Sequence, residues 1–234
     1  MTMPALAARR ATPGVVPNYV LLHDRHYRAV RKAWEALLRR SHEEDEIWFW
    51  QARTWDEFCA LAVAVALKRH PGTKIISAAP IVFHEDLQQG MRLRHDNPLL
   101  VVHLTHEDLI AEVQFNDGKA GLGRLGAPLW LRIGDFSREV QRRAPIWPIH
   151  GFGGDADPDD AAEIARVLNG FPTKHNIRAG MVLRPTDGVA QKFEASSGRV
   201  RAMSATIAPA GRALSHGLEA IAQFCADLMK EARR

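Results

Sequence analysis

Between Asp24 and Arg40 the apolar positions Tyr27, Val30, Trp34, Leu37 and Leu38 recur three or four residues apart. Basic residues Arg28, Arg31, Lys32, Arg39 and Arg40 fill much of the remaining surface, so the spacing predicts an amphipathic helix. The acidic run Glu43–Glu46 reads as a turn, followed by the aromatic cluster Ile47–Trp50. A second helix is expected from Thr54, where Thr54 and Glu57 have the spacing of a capping box. Phe58, Leu61, Ala62, Val65 and Ala66 extend its apolar stripe to Pro71-Gly72.

The period then shortens to two. Strands are expected at Lys74–Ala78, Ile81–His84, Met91–Arg94, Leu99–Thr105 and Leu109–Asn116. The polar link Thr105–Asp108 predicts that the last two form an antiparallel hairpin. A Gly-rich loop (Asp117–Pro128) leads to a strand at Leu129–Ile133, then to an irregular Pro/Trp segment. Asp157 is suited to cap a helix that has Pro158 in its first turn and Gly170 at its end. Strands at Gly180–Arg184 and Arg199–Ile207 and a helix from Arg212 to about Glu231 complete the chain. This order predicts an α/β (α+β) fold: a mixed central sheet flanked by helices, with an N-terminal helical extension. Three parts are expected: a flexible arm over residues 1–17, a helical element over 18–52, and an α/β domain over 53–234.

Composition adds a charge argument. The chain has 234 residues, a net charge of +4 and a pI near 9.3. A basic surface favours a polyanionic partner, because each neutralised phosphate releases counterions. No signal-peptide pattern and no apolar run near about 20 residues is present, so a cytoplasmic protein that does not enter membranes is expected. Cys59 and Cys225 fall in apolar helical patterns and read as buried thiols.

The chemistry centres on Glu112-Val113-Gln114. Two apart on a strand, Glu112 and Gln114 leave the same face, where a carboxylate and an amide can hold a divalent ion and orient water. Asp96, just upstream, supplies a second acid, and Asp56 or Glu57 on the preceding helix a third.

In this order the chain resembles the PD-(D/E)xK restriction-endonuclease-like nucleases, and more narrowly the McrC-like subunits of modification-dependent restriction systems. The resemblance is carried by Tyr27, Val30, Trp34 and Leu37 in the first helix and by Trp55-Asp56-Glu57-Phe58-Cys59 in the second. Asn97-Pro98-Leu99 and Glu112-Val113-Gln114 fall where that family has its metal-binding strands, and Met181–Pro185, Ala205–Gly211 and Arg212–Arg234 resemble its closing elements. The chain departs from the family by placing Leu99 at the metal aspartate and Gln114 at the lysine.

The resemblance implies a restriction-endonuclease-like sheet and a Mg²⁺- or Mn²⁺-dependent endodeoxyribonuclease of an antiviral restriction system. Asp96 and Glu112 would bind metal, with Gln114, Asp56 and Glu57 completing the catalytic set. Arg28, Arg31, Lys32, Lys119 and Arg124 would touch DNA. The alternative is a catalytically decayed subunit that binds DNA or scaffolds a defence complex. A nucleotide-driven translocase is the implied partner, and self-association is left open. A third reading takes Trp48–Trp50 and Trp147 as a protein-binding surface.

Other patterns are weaker. Gly121–Gly126 spells GxGxxG but precedes a strand, the wrong context for a dinucleotide site. Asp155–Asp159 opens like a calcium loop but lacks the glycine and the closing glutamate. His103 and His106 have no cysteine or second histidine pair to make a zinc site, and Ser137, Ser204 and Ser215 lack a nucleophile elbow.

Overall fold

A computed structural model describes residues 25–79, 81–83, 91–93, 98–115, 125–135, 141–151 and 156–233. Its helices are α1 (Arg25–Arg69), α2 (Pro158–Asn169) and α3 (Gly211–Ala232). Its strands are β1 (Thr73–Ala78), β2 (Ile81–Phe83), β3 (Met91–Leu93), β4 (Leu100–Leu104), β5 (Leu109–Phe115), β6 (Leu129–Asp135), β7 (Gln141–Pro148), β8 (Ala179–Pro185), β9 (Lys192–Ser197) and β10 (Val200–Ile207). The chain divides into two compact units, Met1–Phe49 and Trp50–Arg234.

The two expected N-terminal helices are one. No proline or glycine interrupts residues 25–70, so nothing breaks the intrahelical ladder through the acidic run. Thr54 therefore caps nothing; its hydroxyl donates to the Trp50 carbonyl one turn back, at 2.8 Å. The helix ends where Pro71 and Gly72 follow, with Gly72 at φ +77°, a left-handed conformation that favours glycine.

In the second unit eight strands form one mixed sheet in the order β1-β4-β5-β6-β7-β8-β10-β9, and β2 and β3 form a separate antiparallel pair. β4 through β7 make an antiparallel meander. From β7 the chain crosses over through α2 to β8, which lies parallel to β7, and β10 lies parallel to β8. The hairpin expected around Thr105–Asp108 is present, pairing Leu104 with Leu109. The helix expected at Asp157 also forms as read: the Asp157 carboxylate accepts from the Asp159 amide at 2.8 Å, and Pro158 occupies the first turn.

Two strands were not expected. β7 contains Pro145 in a central position. The Arg143 amide donates toward β8, to the Asn176 carbonyl, and the Ile149 amide to Leu183. By alternation the nitrogen of Pro145 faces the same side, where regular pairing with β8 begins only at Ile146. Its missing N–H therefore falls in a gap of the ladder. β9 is short, edge-placed and half polar, and its hairpin with β10 turns at Gly198-Arg199, with Gly198 at φ +55°.

One face of the sheet is sealed by α1 and α3. Cys59, Val63 and Leu67 of α1 and Ile221, Phe224 and Leu228 of α3 pack with Val102, Val113, Leu131, Met181 and Ile207. α3 approaches β10 so closely that a Cβ on Gly217 would stand 2.5 Å from Ile207. On the other face, Ile164 and Leu168 of α2 join Trp130, Trp147, Ile177 and Val200. Among the described residues that second layer covers one half of the sheet. On β4 and β5 the corresponding side chains, Val101, His103, Ile110, Glu112 and Gln114, stay partly exposed. The expected mixed sheet flanked by helices is what the second unit contains.

Candidate polyanion-binding face of the sheet

Period-two alternation sends Leu109, Ala111, Val113 and Phe115 of β5 into the core and Ile110, Glu112 and Gln114 to the open face. Register then places Val101, Glu112, Arg132 and Arg143 side by side across β4, β5, β6 and β7. Arg132 Nη1 donates to Glu112 Oε2 at 2.9 Å, each side chain about a quarter exposed (26 %). Arg143 stands directly opposite Arg132, and among the described residues no carboxylate pairs with it. Burial, and then the charge of Arg132, lower the Arg143 guanidinium below its usual value, although arginine stays charged. Like charges directly opposite on neighbouring strands repel. The next row holds Gln114, Trp130 and Pro145, and beyond the first lies His103, whose Nε2 is 3.2 Å from Asp108 Oδ1.

Glu112 and Gln114 share the open face as alternation requires, but the helix acids do not gather there. Asp56 belongs to α1, whose neighbouring residues Trp55 and Cys59 pack on the core face, so the sheet lies between Asp56 and Glu112. Asp56 is pushed up to about 6, by burial first and by neighbouring Glu57 second. Glu57 is held by Arg53 at 3.4 Å on the same helix. Asp96, Lys119 and Arg124 lie outside the described residues. Arg31 and Lys32 are exposed on α1, Arg31 bound to Glu35 at 2.7 Å, and Arg28 lies on the same helix.

Among the described residues no three His, Cys, Asp or Glu side chains converge to hold a metal ion. Of the Mg²⁺ set inferred from the sequence, Glu112 is bound to a guanidinium and the helix acids Asp56 and Glu57 sit behind the sheet, while Asp96 lies outside the described residues. In the calcium-like segment Asp157 is a helix cap, and Asp160 takes both its contacts from Arg184, at 2.6 and 3.0 Å. Cys59 and Cys225 are buried free thiols, both pushed up by burial, Cys225 to about 12.

Sequence reasoning missed Arg132 and Arg143. The signal for Arg132 was present: it is the single charged position in Leu129–Ile133 and lies on the alternating polar face. Arg143 was hidden because Pro145, Trp147 and Pro148 disguised its strand.

The fold is a mixed α+β one, and among the described residues one part of the sheet face is partly exposed and carries Glu112, Arg132 and Arg143. Compared with protein-family models, characterised proteins and solved structures, the chain matches none.

Proposed function

We propose that this chain is a DNA-binding subunit of nuclease-like architecture, in which the open face of the β4–β7 meander contacts phosphate and no metal chemistry takes place on that face. The observation that carries this reading is the Arg132–Arg143 pair, two guanidinium groups directly opposite on neighbouring strands, Arg143 having no carboxylate partner among the described residues. Guanidinium groups bind phosphate oxygens in a bidentate fork, and a pair held on rigid strands loses little entropy on doing so. An incoming phosphate relieves the repulsion between the two arginines, and the basic net charge of +4 favours polyanions at longer range. Arg31 and Lys32, in the unit Met1–Phe49, would meet phosphate independently of that face.

Fluorescence anisotropy with a labelled duplex tests this. Affinity is expected to fall steeply with salt and to be the same in EDTA and in Mg²⁺. No measurable binding at low salt would remove the proposal.

The shared exposed face of Glu112 and Gln114 favours a second reading, the metal-dependent endonuclease, in which Asp96 supplies the missing acid. Mg²⁺- or Mn²⁺-dependent plasmid cleavage, abolished by both Asp96→Ala and Glu112→Ala, would establish it in place of the first.

A further inference from the structure

In the unit Met1–Phe49, α1 carries an apolar stripe that no described residue covers: Val30, Trp34, Leu37 and Leu38 are between 44 % and 66 % exposed, and every side chain from Ala29 to Arg40 is solvent-facing. A stripe of that period is the packing surface of a helix that gains stability from a partner, since propensity alone sustains an isolated helix poorly in water. The charge along the same helix identifies the partner. Residues 25–40 hold Arg25, Arg28, Arg31, Lys32, Arg39 and Arg40 with Glu35 as their one acid, and then come Glu43, Glu44, Asp45 and Glu46.

Laid parallel, two such helices set basic on basic and acid on acid. Laid antiparallel about a two-fold axis near Leu37 and Leu38, the basic stretch of each runs beside the acidic stretch of the other. Helical rotation at about 100° per residue puts positions 28 and 31 on the same flank of the Trp34-centred stripe as positions 45 and 46. A two-fold axis perpendicular to both helices brings that flank of one copy against the same flank of its mate, so the surface is complementary to itself. Such a contact is isologous and closes at two copies.

We propose that the Val30–Leu38 stripe of α1 is a homodimer interface, occupied by the same helix of a second copy in antiparallel orientation. Its test is sedimentation of the full chain at micromolar concentration. The wild type is expected to be a dimer, and Leu37→Asp to weaken it by roughly tenfold or more. Arg28→Glu with Arg31→Glu is expected to give monomer, and adding Asp45→Arg with Glu46→Arg to that variant to restore the dimer. The restored variant also separates lost recognition from lost helix, which circular dichroism reads directly. A monomeric wild type, whether alone, on vesicles or on another protein, would overturn the proposal. So would a Leu37→Asp chain that stays dimeric, or a fourfold charge swap that stays monomeric.

Discussion

β5 has two faces with opposite fates. Leu109, Ala111, Val113 and Phe115 are buried against α1 and α3, whereas Ile110, Glu112 and Gln114, interleaved with them, are partly exposed. The same backbone serves both, so the difference lies in what covers each side. On the sealed face, burial of apolar area stabilises by about 25 cal/mol per Å² and leaves no room for a charge. On the open face a partly exposed glutamate and arginine can pair, and a second arginine can stand without an acid among the described residues, because water and dissolved anions still reach them. The contrast teaches where this protein is free to carry function: on the side the helices leave bare.

The two faces respond differently to substitution. Val113→Asp puts an unpaired carboxylate into the sealed core and is expected to destabilise the fold by about 3 kcal/mol or more, read by chemical denaturation. Gln114→Ala, one residue along but on the open side, is expected to change stability by less than about 0.5 kcal/mol; equal losses would erase the distinction. Next in size, Arg143→Glu reverses the charge that has no carboxylate partner among the described residues, and is expected to weaken duplex affinity by roughly tenfold at low salt while the fold persists.

Smaller still, Glu112→Gln removes a negative charge beside Arg132, and binding is expected to strengthen by about two- to fivefold. The metal reading requires the opposite, since it makes Glu112 indispensable. A pH-dependent effect belongs to Asp56 on the sealed side. Its carboxyl holds its proton more tightly in the fold, up to about 6 against an ordinary 3.8. The folded chain therefore binds more protons across that interval, and stability falls as pH rises through it. Asp56→Asn removes that loss, so its melting temperature is expected to exceed that of the wild type at pH 7 and to match it near pH 4. A variant less stable at pH 7 would show that the charged form is wanted there.

Much of the sealed face was legible in the sequence, because burial writes itself as periodicity. The strands β4, β5 and β6, the α2 start at Asp157-Pro158 and the C-terminal helix all follow from spacing and end signals. What escaped were features whose cause is tertiary or an absence. α1 runs through Glu43–Glu46 because nothing breaks it, and an acidic run resembles a turn only until one notices that glycine and proline are missing. β7 tolerates Pro145 because of a gap in its pairing with β8, which no local pattern encodes. The site was legible in part. That Glu112 and Gln114 share a face follows from a period of two, but that α1 would put Asp56 behind the sheet depends on which face the helix covers. The arginine row arises from the register of three strands and is invisible in any one of them.

The central claim is most directly measured by the salt dependence of duplex binding in wild type and in Arg132→Gln/Arg143→Gln. Each phosphate contact adds about 0.9 to the magnitude of the slope of log affinity against log salt. The account predicts that the double variant binds more weakly and that its slope is shallower by about two. Identical slopes and affinities in the two proteins would contradict it.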